Sequence, residues 1–151
     1  MKNRDARYPI QKEQNVKRFF VFVLMALILL FMILACGGQG SSAVSTTQNV
    51  EMTEFMFTPA EMAVPVGKEL TLNLKNNGSV EHDFVILKKG IIAVLPFDAQ
   101  AQKGDIFFEA RLDAGKSETY TFTLPEAGDY EIICSVPGHL EAGMKAKLSA
   151  H

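Results

Sequence analysis

Cys134, His139 and Met144 recur at five-residue intervals in Cys134-Ser135-Val136-Pro137-Gly138-His139-Leu140-Glu141-Ala142-Gly143-Met144. A thiolate, an imidazole and a thioether on one short loop form a soft donor set. Hard cations want oxygen and structural zinc ordinarily takes more thiolates, so the set favours copper. Composition alone puts a His five and a Met ten residues after a given Cys about once in a thousand. The chain's other thiol, Cys36, follows an apolar N-terminal run, which leaves Cys134 without a partner for an intramolecular disulfide. A Cys closing the apolar run Tyr130-Glu131-Ile132-Ile133 is ordinary as a small buried hydrophobe. One with a His and a Met in register after it is not.

A second imidazole is available at His82, in Gly78-Ser79-Val80-Glu81-His82-Asp83-Phe84, just past a turn and at the start of a predicted strand. Two imidazoles, one thiolate and a weak axial thioether make up the donor set of a blue-copper electron-transfer site. His151 is the last residue, where chains fray, and is left out of the set.

These donors need a frame. Short runs rich in Val, Phe, Thr and Tyr recur between turn residues: Val50–Met56, Glu69–Lys75, Asp83–Leu87, Ile106–Ala110, Ser117–Leu124, Asp129–Cys134 and Lys145–Ser149. In Leu70-Thr71-Leu72-Asn73-Leu74 and Tyr120-Thr121-Phe122-Thr123-Leu124 the large residues alternate with polar ones, as in strands with one buried face. Val66-Gly67, Asn76-Asn77-Gly78, Ala114-Gly115 and Ala127-Gly128-Asp129 punctuate them, and no amphipathic helix of three turns intervenes. The expectation is an all-β Greek-key sandwich of about seven to eight strands. Residues 88–105 fit least well: Gly90–Pro96 is apolar but ends in Pro, and Phe97–Lys103 allows a helical turn, so the stretch reads as a loop insertion.

The chain has 151 residues and a net charge of −2, unevenly spread. Its first 18 residues hold six cations and two anions, which leaves nine cations against fifteen anions, net −6, beyond them. That balance argues against nucleic acid as a partner of the folded part. Phe19–Ala35 is apolar and free of charge and Pro, directly after Lys17-Arg18. Its 17 residues lie between a signal-peptide core and a spanning helix. Ile33-Leu34-Ala35-Cys36-Gly37 is similar to a bacterial lipobox, with Leu34 where a small residue is commoner. Three products stay open: Cys36 lipidated after cleavage, Cys36 at the end of an uncleaved anchor, or a soluble secreted protein. The first two are tethered, and the basic flank puts everything after Cys36 on the extracytoplasmic face of the cell membrane, where conditions are oxidising. Residues 1–36 thus read as a signal or anchor segment. Residues 37–47 (GGQGSSAVSTT) read as a flexible linker with a stretched reach of about 35–40 Å. Residues 48–151 read as one domain.

Over nearly all of 48–151 the sequence resembles the cupredoxins, the type 1 copper proteins that include plastocyanin, azurin, rusticyanin, halocyanin and the auracyanins. Beyond the donor loop, the resemblance rests on Phe57-Thr58-Pro59, Val64-Pro65-Val66-Gly67, Asn76-Asn77 and His82-Asp83-Phe84. It continues at Ala114-Gly115-Lys116 and Gly128-Asp129-Tyr130. It implies one copper ion held by His82, Cys134, His139 and Met144, in a site fixed between the preferences of Cu(II) and Cu(I) so that little rearranges on electron transfer. It also implies that Pro137, Gly138, Leu140, Ala142 and Gly143 form an apolar docking patch around His139 for redox donor and acceptor proteins, a cytochrome or a membrane complex, meeting a monomer. Two residues depart from the family pattern: Asp83 where Asn is common, and Ala146 where Gly is common. Asp83 is expected to take over the Asn role by hydrogen-bonding the Ser135 region.

Other classes fit less well. No nucleophile with its base, no His-x-His pair and no vacant coordination position speaks for an enzyme, and a binuclear copper centre needs a second Cys on the loop. A copper-binding or delivery module is the main alternative, since the same donors can hold copper for handover.

Overall fold

Alternation decides the sheets. The computed structural model describes residues 22–23 and 43–151. Within the latter, β1 (Thr47–Thr53), β2 (Met56–Thr58), β4 (Glu69–Asn76) and β7 (Ser117–Thr123) form one sheet in the order β2-β1-β4-β7. The other is β3 (Glu61–Val64), β9 (Lys145–Ala150), β8 (Gly128–Ile133), β5 (His82–Leu87) and β6 (Ile106–Leu112), in the order β3-β9-β8-β5-β6. Both are mixed, because β1 runs parallel to β4 and β3 parallel to β9. Leu70, Leu72 and Leu74 of β4 meet Phe84, Ile86, Ile132 and Leu148 of the other sheet in one shared core.

Nine strands are present in the described residues, where seven to eight were expected. Val50–Met56 is not one strand: the chain turns at Glu54-Phe55, with Phe55 at φ 66°, and β1 and β2 pair antiparallel across the turn. β3 escapes notice in the sequence because Met62, Ala63 and Val64 are all buried and show no alternation. Tyr120 and Phe122 do share a face, but only half-buried, packed in ring contacts with Phe108 and Phe107.

Residues 88–105 cross the outer face of the second sheet, as a loop ending in a 3-10 turn at Lys103–Asp105. The helical turn expected at Phe97–Lys103 is an Asp98-capped turn: Gln100 and Ala101 donate their N–H to Asp98 Oδ1, and Gln102 donates to its carbonyl. Ala93 and Phe97, with Ile106 and Leu140, pack on Val85, Leu87 and Ile133, which is why every residue of β5 is buried.

β1 enters beside Thr71, and His151 lies at the same pole, its carbonyl accepting from Val66 N–H. His82, at the start of β5, Cys134, after β8, and Met144, before β9, all lie at the opposite pole. Ser45 N–H already donates to Ala63 and β1 begins at Thr47, so the end of the expected linker belongs to the sandwich edge. The expected anchor, Cys36 and most of the linker lie outside the described residues.

Candidate metal centre

The strand register brings His82 to the donor loop. β8 ends at Ile133 beside Val85 of β5, and β5 reaches back to the same pole with His82 as its first residue. The loop after Cys134 is folded by its own backbone. His139 N–H donates to Val136, Met144 N–H to the His139 carbonyl at 2.9 Å, and Cys134 N–H to the Met144 carbonyl at 3.1 Å. Gly143, at φ 94°, supplies a conformation that an L side chain rarely adopts. The spacing seen in the sequence is thus that of a loop which returns Met144 to Cys134.

Three donor atoms converge. His82 Nδ1 lies 3.1 Å from His139 Nδ1, and Cys134 Sγ lies 3.3 Å from His139 Nδ1 and 3.9 Å from His82 Nδ1. His82, Cys134 and Met144 are fully buried and His139 nearly so. Burial pushes the Cys134 thiol up; burial, and secondarily the neighbouring His139, push the His82 imidazole down. Both shifts favour neutral groups while no cation is bound. Two ring nitrogens this close share at most one proton between them. The remaining lone pair and the sulfur then face one another across a dry space, an arrangement that a soft cation relieves. His82 Nε2 is buried without a hydrogen-bond partner. Nδ1, facing the other donors, is the nitrogen placed to ligate.

The surroundings tie the two donor segments together. Asp83 N–H donates to Cys134 Sγ at 3.4 Å, and the buried Asp83 carboxylate accepts from Ser135 Oγ. Arg111, directly opposite Asp83 on β6, donates from Nε at 2.7 Å and from a terminal nitrogen at 2.9 Å to the same carboxylate. It also pairs with Glu81 at 3.4 Å. Asn76, fully buried, holds the loop before His82: its Nδ2 donates to Val80 and Leu112, and its Oδ1 accepts from Gly78 N–H. A Cβ at Gly78 would stand 2.8 Å from His82 Nε2, so the close approach of this loop requires Gly.

Pro137, Gly138, Ala142 and Gly143 are exposed around His139, while Leu140 turns inward onto the cluster of Val85, Leu87 and Ile133. Leu140 therefore offers less to a docking patch than its neighbours, because covering the second sheet's outer face claims it. Sequence reasoning missed Arg111, read as lying beyond its strand, and Phe55, read as lying within one. Phe55 is half-exposed, and its ring meets that of His139 edge-on at 5.4 Å. Met56 and Val80, also exposed, add apolar surface next to it and to the His82 loop respectively.

Comparison with known proteins agrees with this geometry. Residues 24–148 match the Cupredoxin-like domain. Auracyanin-A of Chloroflexus aurantiacus is 34% identical over 145 residues, covering 79% of this chain and 90% of that protein. A plastocyanin of Mercurialis perennis is 35% identical, covering 65% and 90%. The copper-resistant cuproprotein CopI of Rubrivivax gelatinosus is 31% identical, covering 74% and 69%. The solved structure of dithionite-reduced auracyanin from Roseiflexus castenholzii superposes with a TM-score of 0.59 at 29% identity, covering 72% of this chain and 99% of that one. Two imidazoles, a buried thiol and a buried thioether at one pole of a β-sandwich fit a single type 1 copper ion. On fold, donor set and sequence match together, the chain belongs to the cupredoxin-like domain family.

Proposed function

We propose that this chain is a membrane-tethered, extracytoplasmic blue copper protein that carries single electrons between redox proteins, with His82, Cys134, His139 and Met144 as its ligands. The observation that carries the reading is the convergence of His82 Nδ1, His139 Nδ1 and Cys134 Sγ in a buried pocket. A copper ion held by these four residues would supply one-electron chemistry between Cu(II) and Cu(I). The protein's part is to hold still. The β-sandwich fixes His82, the backbone-bonded loop fixes Cys134, His139 and Met144, and the Asp83–Ser135 contact locks one to the other. Such fixity keeps the rearrangement on electron transfer small.

His139, the least buried of the four, is the side from which an electron enters or leaves, and the exposed Pro137, Gly138, Ala142 and Gly143 are where a partner rests. The partners are a cytochrome or a membrane electron-transfer complex, meeting a monomer, with no nucleic acid among them, and the chain serves as an electron carrier and not as an enzyme, a reading that the cupredoxin-like match supports. The apolar run Phe19–Ala35 after a basic flank, and the lipobox-like Cys36, support attachment to the outer face of the cell membrane.

The similarity to CopI favours one second reading, a module that holds or delivers copper without carrying electrons. An absorption spectrum of residues 41–151 titrated with Cu(II) and then ascorbate tests both. An intense blue thiolate-to-copper band that bleaches on reduction, returns on oxidation and is absent in Cys134→Ser is the result expected of the carrier. Copper bound without that band, or lost on reduction, favours delivery.

A further inference from the structure

Phe55 sits where an aromatic residue is least at home. Its φ of 66° lies in the left-handed region, which bulky side chains avoid, and half of its surface faces water. Neither backbone preference nor burial explains a Phe at this place. The turn that carries it is fastened: the Glu54 carboxylate accepts from both the N–H and the hydroxyl of Ser79, and Asn77 N–H donates to the Met52 carbonyl at 2.8 Å. The result aims the ring at one target. Phe55 meets the His139 ring at 5.4 Å between centroids and 88° between planes, the edge-to-face arrangement that aromatic quadrupoles favour.

His139 needs such support more than the other donors do. His82 is a strand residue and fully buried, whereas His139 sits on an exposed loop between Gly138 and Leu140. Pro137, Gly138, Glu141, Ala142 and Gly143 around it are open to solvent. Phe55 comes from a different segment, the β1–β2 turn, and closes that side.

The geometry points to Phe55 as a positioning residue for His139: its ring holds the imidazole in the metal-facing orientation before copper arrives and keeps water from that flank. A donor already in place binds with the fraction of time it spends there, so removing the ring weakens copper through His139's freedom and not through the fold. The inference rests on the copper reading for only one of its readouts.

The left-handed φ provides the test. Phe55→Gly deletes the ring and relaxes the backbone, so the fold has no reason to weaken, and Phe55→Tyr keeps the ring. Both are compared with the parent as full chains. The readouts are urea unfolding without copper, the NMR couplings that report the His139 χ1 angle without copper, and the Cu(II) dissociation constant. Three His residues in the chain keep the imidazole signals assignable. Expected for Phe55→Gly are unchanged or raised stability, more than one His139 ring orientation, and about two- to tenfold weaker copper binding; Phe55→Tyr matches the parent. A single His139 orientation in Phe55→Gly overturns the proposal. So does a loss of stability, because the ring would then serve packing. If the parent binds no copper, the carrier reading falls, and the ring orientations alone decide the role of Phe55.

Discussion

Arg111 stands directly across from Asp83 on the neighbouring strand and closes a two-pronged pair on its carboxylate, the buried acid next to His82. The pair explains how a carboxylate is tolerated in the interior beside the donor atoms. Ser135 uses the acid as an acceptor, and Arg111, itself about half exposed, supplies the compensating charge from the solvent side.

Removing the cation strands the acid. Arg111→Met is expected to cost about 1–3 kcal/mol in urea unfolding of the copper-free protein, the lower end reflecting the exposure of the guanidinium. Asp83→Asn keeps an acceptor for Ser135 and frees an Arg111 that water can solvate, so it costs less. Equal losses in the two variants would contradict a buried charge that depends on Arg111.

Asp83→Ala cuts the link between the two donor segments. Copper affinity is expected to fall about 10–100-fold, as for other residues that orient metal ligands, with a changed reduction potential. Competition against a chelator of known affinity reads the first, and voltammetry the second. Unchanged values would reduce Asp83 to a buried acid that serves the fold and not the metal.

Cys134→Ser and Met144→Leu separate the strong sulfur donor from the weak one. The first abolishes the blue band. The second retains it and raises the reduction potential, because withdrawing a donor disfavours Cu(II) more than Cu(I). A Met144→Leu protein without the band would place the thioether among the principal donors.

Gly78→Ala tests the close approach before His82. The new methyl has the buried His82 Nε2 at 2.8 Å and the Asn76 side-chain Oδ1 at 3.2 Å, so the loop must move. A stability cost of about 1–3 kcal/mol is expected, along with weaker copper binding. Thermal unfolding with and without Cu(II) measures both.

Acid acts on the turn that carries Phe55. Two hydrogen bonds from Ser79 hold the Glu54 carboxyl down at about 2, against about 4.3 in an unfolded chain. A depressed folded value means that the contribution is fully present above the unfolded value and is lost as pH falls toward the folded one. Parent and Glu54→Gln should therefore differ in stability at neutral pH and converge on acidification from about 4.3 toward 2. A gap that persists unchanged at the acid end would mean that Ser79 is not what holds the carboxylate.

The donor set was legible because soft donors are rare and three of them share one loop. The strands β4, β5, β8 and β9 were legible because their runs were clear. What stayed hidden depends on contacts between distant segments or on a residue breaking its own preference. Arg111 acquires its role only through the β5–β6 register, one residue beyond where its strand seemed to end at Ala110. Phe55 reads as a strand residue by type, and only the fastened turn makes it left-handed. β3 lacks alternation because three consecutive side chains are buried. Residues 88–105 conceal a second core because Ala93 and Phe97 find their partners across the sheet.

The entry of β1 at the pole away from the donors has a mechanical consequence. The seven residues of β1 put about 23 Å between the point where the chain joins the sandwich and the turn beside His139. Tension applied upstream of Ser45 loads the parallel β1–β4 ladder in shear and never runs along the donor loop, which hangs between β8 and β9 at the far end. A protein held by its leading segment is thus gripped by the end that has no redox task, and the ligand geometry is insulated from the pull.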